Sequence, residues 1–320
     1  MYVTRPLSMY KRDPAALSLP PEAPNSGYLV IFDEEVQTYC CFGLCKDSSI
    51  KHLPFPQNKN LTICYYDGEN TLLDKVVFIP ALNLPLSANQ YYVIRRQGKH
   101  QGNASTSSKE EDMGTCFCCS YVKDVKLSAL DPYDMDQQFE IIKKGHGFHA
   151  KSTTPDGFPP MFLRRKWWFV IAKTPHHYNL GEASGINSRL RAQMPDFDFS
   201  LSNDCSKSMA VGKWFCPFMF VKEGKKLKEQ MKMSVFYEMR LEQRWDKVFS
   251  RESHNSGEKS VLVDVIVQTE AAKVAGRDAV WDENHVRDGV LWFDSFDGKG
   301  AGTSVGLSRA IVERMRWEQE

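Results

Sequence analysis

The sequence predicts an α+β protein that consists mainly of antiparallel β-sheet, with a few short helices and a C-terminal helix. Apolar and polar residues alternate along residues 233–241, and Val occupies every second position of residues 261–267, the period of two that is typical of β-strands. Short runs rich in β-branched and aromatic residues also recur through the first half, with turn residues between them. Residues 307–318 instead place apolar side chains at helical spacing.

The composition bounds the class of protein. The chain has 320 residues, of which 42% are hydrophobic and 25% are charged, so it can bury a core. Its net charge is +1, from 41 basic and 40 acidic residues, which argues against a nucleic-acid partner.

The sequence also indicates where the protein resides. No run approaches about 18 consecutive apolar residues, so no transmembrane segment is expected. The first residues lack the basic and apolar regions of a secretory signal. We therefore expect a cytoplasmic protein, with the nucleus as an alternative, that is not secreted. In that compartment the nine cysteines are thiols or metal ligands rather than disulfides.

The N-terminal part divides into several predicted segments. Residues 1–27 contain five prolines and are predicted to form an extended arm. A hairpin of residues 28–33 and 37–42 follows, and then strands at 61–66, 76–80, 91–95 and 115–123. Residues 97–113 are nearly devoid of apolar side chains and are predicted to form a mobile loop.

The rest of the chain is predicted to contain further strands and helices. Strands are predicted at 139–143 and 166–173, and a short helix at 180–193. The polar stretch 195–208 is the best boundary between a β-rich lobe of residues 28–200 and a second β-rich lobe of residues 201–320. The second lobe has a helix at 225–232, strands at 233–241, 261–267 and 290–293, and the C-terminal helix. A helix is the alternative for 233–241, because Lys, Glu, Gln and Met are good helix formers.

Two cysteine clusters are candidate metal ligands. Four of their residues have spacings that would allow a zinc site if the two segments are neighbours: Cys41, Cys45, Cys116 and Cys119. The clusters lie in apolar, strand-like runs, and in a strand Cys116 and Cys119 would point to opposite faces. We therefore favour buried thiols and expect no cofactor, with zinc as the alternative. S-acylation of Cys40 and Cys41 is a further alternative.

A glycine-rich stretch between a predicted strand and the C-terminal helix is a candidate anion site. Backbone N–H groups at such a helix start can bind phosphate. The candidate residues are Gly298, Lys299, Gly300, Gly302, Thr303 and Ser304. The stretch also contains a formal G-x-S-x-G, but no Asp or His follows Ser304, as a hydrolase triad of that type requires. A connector with Ser304 as the helix N-cap is the simplest interpretation.

Several blocks of sequence resemble a known family. They include Cys-Phe-Gly-Leu-Cys-Lys at 41–46, Leu-Pro-Phe-Pro-Gln-Asn-Lys at 53–59, Gly-Lys-His-Gln-Gly at 98–102 and Asp-Gly-Phe-Pro-Pro at 156–160. With these, the chain resembles the plant domain-of-unknown-function family numbered 1262. The resemblance implies a plant protein but no activity, and no functional residue is carried over from it.

The leading hypothesis is a non-enzymatic binding or protein-interaction module. It depends on the lack of a complete catalytic constellation and on the aromatic residues and long strands, which supply recognition surface. One alternative is an enzyme, or a protein that binds a phosphate-bearing or aromatic small molecule, using the loop at 298–306 with Asp294 and Asp297. The other is a module stabilised by zinc at the two cysteine clusters. The sequence identifies no catalytic residue and no particular ligand or protein partner.

Overall fold

The computed structural model describes residues 1–117, 119–183, 192, 195–197, 200, 202–252, 260–267 and 270–319. Within these ranges the chain is strand-rich and its helices are few, as the sequence predicts. The strands are β1 Tyr2–Pro6, β2 Gly27–Ile31, β3 Tyr39–Cys40, β4 Cys45–Lys46, β5 Ser49–Ile50, β6 Asn60–Asp67, β7 Asn70–Pro80, β8 Gln90–Arg95, β9 Met113–Cys116, β10 Cys119–Val122, β11 Gln138–Lys144, β12 Gly147–Ser152, β13 Phe169–Lys173, β14 Met209–Pro217, β15 Val221–Lys222, β16 Phe236–Gln243, β17 Ala272–Val274, β18 Arg277–Arg287, β19 Val290–Phe296 and β20 Gly302–Ser308. The α-helices are α1 Leu7–Arg12, α2 Met161–Arg164, α3 Leu227–Met233 and α4 Arg309–Gln319.

A seven-stranded antiparallel sheet is the largest element. Its order is β12-β11-β8-β7-β6-β13-β5. The sheet curls so that its two ends approach each other. Phe148 of β12 donates a backbone hydrogen bond of 2.7 Å to the carbonyl of Trp168, directly before β13. The Lys143 ammonium also donates to the Lys51 carbonyl beside β5, so the two ends of the sheet meet.

The inside of the curled sheet holds an aromatic core. Phe55 lies at its centre, with the ring of Phe78 at 4.4 Å and that of Phe148 at 5.0 Å. The Trp168 ring stacks on Phe78, and its indole N–H donates to the Leu163 carbonyl, which satisfies the one polar atom of that side chain.

A four-stranded sheet, in the order β16-β14-β1-β2, includes the N-terminal residues. The extended arm predicted for residues 1–27 is therefore wrong. β1 pairs in parallel with β2 and antiparallel with β14, and the Tyr2 side chain is buried with its hydroxyl donating to the Pro80 carbonyl. The prolines do not prevent this, because Pro6 is the last residue of its strand and the others follow α1. The predicted hairpin of 28–33 and 37–42 is also wrong, since β2 pairs with β1.

A five-stranded antiparallel sheet, in the order β15-β20-β19-β18-β17, forms the last part of the chain. Helix α4 packs on it through Val312, which joins Leu291 and Phe293 in a small core. The C-terminal helix is thus confirmed, as are α3 and the strand β16 that follows it.

The main hydrophobic core crosses the boundary predicted near residue 200. Leu29 and Ile79 from one side share a single cluster with Trp214, Phe218 and Ile311 from the other. The polar stretch therefore does not separate two hydrophobic cores.

Three further expectations concern a loop, a strand and a helix. The loop at 97–113 is irregular, but Ala104, Ser105 and Ser108 at its centre are buried and hydrogen-bonded through their backbones. Residues 261–267, predicted as a long strand, have no regular secondary structure. Most of the helix predicted at 180–193 falls outside the described residues.

Candidate functional site

A short hairpin of residues 39–46, here called the thiol hairpin, carries three exposed cysteines. Its strands β3 and β4 place Cys40 directly opposite Cys45. The hairpin is fastened at its base, where the Asp47 backbone N–H donates to the Thr38 carbonyl at 2.8 Å. The Gln37 side chain adds hydrogen bonds to the carbonyls of Thr38 and Asp47. These contacts fix the hairpin immediately before β5 of the seven-stranded sheet.

The sulfur atoms of Cys40, Cys41 and Cys45 all lie within 4.8 Å of one another. Neighbouring residues in a strand point to opposite faces, so Cys40 and Cys41 would diverge if the strand continued. The chain leaves the strand at Cys41, where φ is +50°, and Phe42 and Gly43 follow with φ of +56° and +89°. This left-handed turn allows the Cys41 sulfur to approach the other two.

The charges around the thiol hairpin are mixed. The Asp47 carboxylate forms an ion pair of 2.8 Å with Lys51 and accepts a hydrogen bond of 2.9 Å from the Ser49 backbone N–H. Each of its two oxygens therefore has a partner. Desolvation, a hydrogen bond with Cys41 and the charges of Cys45 and Asp47 together raise the pKa of the Cys40 thiol. The free hairpin therefore favours the protonated thiol at Cys40.

A second hairpin, formed by β9 and β10, carries Cys116 and Cys119 opposite each other. Both side chains are exposed, and Phe117 at the tip is 104% exposed. Among the described residues, Cys116 and Cys119 do not join the three sulfur atoms of the thiol hairpin. The zinc set predicted from Cys41, Cys45, Cys116 and Cys119 is thus not assembled, because each pair lies on its own hairpin; Cys118 lies outside the described residues.

Burial of the hairpin cysteines is also not observed. Only Cys64 and Cys216, among the described cysteines, are buried, and burial raises the pKa of Cys216 to about 12. The apolar runs around the two hairpins suggested buried strands, but Phe42 and Leu44 are themselves 108% and 86% exposed. A one-dimensional pattern cannot distinguish a protruding hairpin from a core strand of the same composition.

The glycine-rich stretch forms a β-hairpin rather than a strand–loop–helix connection. Gly298, Lys299 and Gly300 lie in the turn. Gly302, Thr303 and Ser304 belong to β20, which precedes α4, so Ser304 is not a helix N-cap.

The turn between β19 and β20 already holds an anion of its own. The Asp297 carboxylate accepts hydrogen bonds from the backbone N–H groups of Lys299 at 3.0 Å and Ala301 at 2.7 Å. Two backbone donors of this turn, one of them at the candidate residue Lys299, therefore point at a carboxylate of the same chain. The strand–loop–helix connection on which the anion site was based is not present at these residues, and the site itself stays a prediction.

Residues 261–267, here called the apolar segment, expose a continuous set of apolar side chains. Leu262 and Ile266 are 96% and 104% exposed, and the four valines Val261, Val263, Val265 and Val267 are between 42% and 49% exposed. The strand that follows in the sequence, β17, forms the edge of the five-stranded sheet, and within the described residues it pairs only with β18. The strand-forming pattern of the apolar segment is visible in the sequence, whereas its exposure is visible only in the fold.

Comparison with known proteins gives one family match. Residues 22–120 match the family model described as "Protein of unknown function (DUF1262)". This segment is similar to that family. It includes the thiol hairpin and reaches into the second hairpin, but not the apolar segment. No curated protein matches the chain.

Among the described residues, no helix combines the length and apolar character that crossing a membrane would require.

Proposed function

We propose that the protein is a non-enzymatic protein-interaction module of the plant cytoplasm, and that the apolar segment is its contact surface for a partner protein. The observation that carries the proposal is the exposure of six apolar side chains in one run of seven residues. Contiguous exposed apolar surface of this kind is typical of interaction sites.

The chemistry of the apolar segment favours strand addition. Five of its seven residues are Val or Ile, which are β-branched and fit a pleated strand. In an extended conformation Leu262 and Ile266 share one face, and the four valines share the other. An extended segment that pairs with the free edge of a partner sheet gains main-chain hydrogen bonds, while its alternate side chains fill pockets.

Asp264 favours a different protein over a second copy of this chain. It lies at the centre of a nearly symmetric run, Val-Leu-Val-Asp-Val-Ile-Val. Antiparallel pairing of two copies about that centre would place the two Asp264 carboxylates opposite each other, and like charges in that position are destabilising. A partner strand with Lys or Arg opposite Asp264 would fit.

The proposed compartment has two supports. The resemblance to a plant family suggests the organism group, and the exposed free thiols suit a reducing compartment. Six described cysteines are exposed, namely Cys40, Cys41, Cys45, Cys116, Cys119 and Cys205. In an oxidising compartment such thiols would be prone to oxidation or to intermolecular disulfides.

The test compares two double variants as bait in plant extract. Leu262→Asp with Ile266→Asp places charge on one face of the apolar segment, whereas the control, Leu73→Asp with Val280→Asp, changes exposed apolar residues elsewhere. We expect specific partners to be lost with the first pair and retained with the second. In the captured complex, amide hydrogens of residues 261–267 should exchange more slowly than in the free protein. Equal capture by both variants, or unchanged exchange, would refute the proposal.

A further inference from the structure

We propose that Cys40, Cys41 and Cys45 form a three-thiolate site for a soft metal ion, with monovalent copper as the best-matched ion. The proposal is independent of the apolar segment. It rests on the convergence of three exposed sulfur atoms on one fastened hairpin.

The spacing of the sulfur atoms fits a single metal ion. A metal–sulfur bond of about 2.3 Å places the thiolates of one trigonal, three-coordinate centre roughly 4.0 Å apart. The three sulfur atoms already lie within 4.8 Å of one another. Small side-chain rotations therefore suffice to bring all three onto one ion, with no change in the pairing of Cys40 with Cys45.

The hairpin supplies convergence that a plain strand pair would not. Cross-strand pairing brings two cysteines together, and the left-handed turn at Cys41 and Phe42 brings the third. Bulky residues such as Phe rarely adopt positive φ, and such positions cluster at ligand clamps and other functional sites. The turn therefore has a conformational cost that a metal-binding role would explain.

The number of ligands decides which ion fits. Among the described residues, the group of metal-ligating side chains contains these three cysteines and no histidine or carboxylate. Asp47 is a carboxylate whose charge acts on the Cys40 thiol, but its two oxygens are held by Lys51 and by the Ser49 backbone. Thiolate ligands select monovalent copper and zinc, and structural zinc sites are almost always four-coordinate. Three sulfur ligands without a fourth thus favour monovalent copper.

Exposure gives the site an open route for the metal. All three cysteines are exposed, so an ion can reach them from solvent or from another protein without any opening of the core. The buried thiols Cys64 and Cys216 lack this access. Among the described residues, neither of them belongs to a group of three metal-ligating side chains. They are expected to take no part in binding.

The experiment uses the reduced full-length protein under anaerobic conditions. Monovalent copper is titrated in competition with a chromogenic copper chelator, and zinc is titrated separately against a zinc chelator. Three variants are compared with the wild type: Cys40→Ser with Cys41→Ser and Cys45→Ser, Cys41→Ser alone, and the matched control Cys116→Ser with Cys119→Ser. Circular dichroism and the melting temperature establish that each variant is folded.

We expect one equivalent of copper on the wild type and the control, with an ultraviolet thiolate-to-metal band. Binding should weaken at least about a hundredfold in the triple variant, since even residues that only support ligands contribute about ten- to a hundredfold. Bound copper should protect Cys40, Cys41 and Cys45, but not Cys116, from alkylation detected by mass spectrometry. Tighter binding of zinc than of copper would overturn the choice of ion.

Three results would overturn the site itself. The first is wild-type binding no tighter than that of the triple variant. The second is a loss of copper binding in the control, Cys116→Ser with Cys119→Ser, as large as that in the triple variant, which would show that the second hairpin contributes ligands. The third is alkylation that copper does not slow at these three cysteines. If the triple variant fails to fold, Cys41→Ser decides the question, because one lost ligand of three should still weaken binding more than tenfold.

Discussion

Replacement of Gln57 by Leu should destabilise the protein more than any single exposed substitution. The Gln57 side chain is buried, and its Oε1 accepts a hydrogen bond from the Val30 backbone N–H in β2. Its Nε2 donates to the carbonyls of Phe55 at 2.7 Å and Phe78 at 3.0 Å, the latter in β7. One amide therefore ties the four-stranded sheet to the curled seven-stranded sheet.

The magnitude follows from the groups left behind. Leu fills a similar volume but leaves one buried N–H without its partner, at a cost of about 1–3 kcal/mol. The two carbonyls each lose a hydrogen bond with a net worth of about 0.5–1.5 kcal/mol. We therefore expect the free energy of unfolding to fall by about 2–6 kcal/mol.

The assay is urea denaturation followed by tryptophan fluorescence, with Asn58→Leu as the control. Asn58 makes the corresponding bonds one residue later, accepting from the Phe32 N–H at 2.8 Å and donating to its carbonyl at 3.2 Å, but it is only partly buried. Water can replace its contacts, so its loss should cost about 1 kcal/mol. Equal losses in the two variants, or a loss below about 1 kcal/mol for Gln57→Leu, would refute the reasoning.

Burial raises the pKa of Tyr178 from its ordinary value of 10.0 to about 12, so folding favours the neutral phenol. Its stabilising contribution is kept below pH 10 and lost as the pH rises toward 12, and melting temperatures across that window should fall less steeply in Tyr178→Phe. Gly147→Ala should lower the melting temperature sharply, because a Cβ there would lie 2.7 Å from backbone atoms of residues 167 and 168; Gly298→Ala, with open space around it, should have no measurable effect. Asp297→Ala should cost about 1 kcal/mol by freeing two turn N–H groups, as urea denaturation would measure. Because Asp297 holds these donors in the wild type, isothermal titration of the wild type with phosphate should show no binding at the turn.

Local patterns predicted the individual strands well. β6, β7, β8, β11, β13, β16 and β19 all lie where β-branched and aromatic residues alternate or cluster. The alternative helical interpretation of residues 233–241 fails for β16. Tyr237, Met239 and Leu241, at every second position, pack on the main core. The packing of these side chains on one face of the strand outweighs the helix propensity of the residues.

Long-range pairing was the main source of error. Residues 1–27 contain five prolines, yet β1 is the strand that joins β2 to β14, more than 200 residues away. Nothing local distinguishes a proline-bounded strand that finds partners from an arm that does not. Gln57 was missed for the same reason, since its value depends on carbonyls and N–H groups that the fold brings to it.

The cysteines and the apolar segment show the same limit at the candidate sites. Sequence spacing identified the Cys41–Cys45 pair, but Cys40 lies opposite Cys45 only because their strands pair, and the Cys41 sulfur joins them only because the backbone turns at Cys41. For residues 261–267, strand propensity was evident and exposure was not.

The sequence by itself determined that this chain is strand-rich, with antiparallel sheets, few helices and a helix near its C-terminus, because side-chain periodicity and β-propensity act over a few neighbouring residues. Only the tertiary structure decided which strands pair, which cysteines converge and which apolar residues remain exposed. Those outcomes depend on contacts between residues far apart in the chain, and on burial, which is a property of the whole fold.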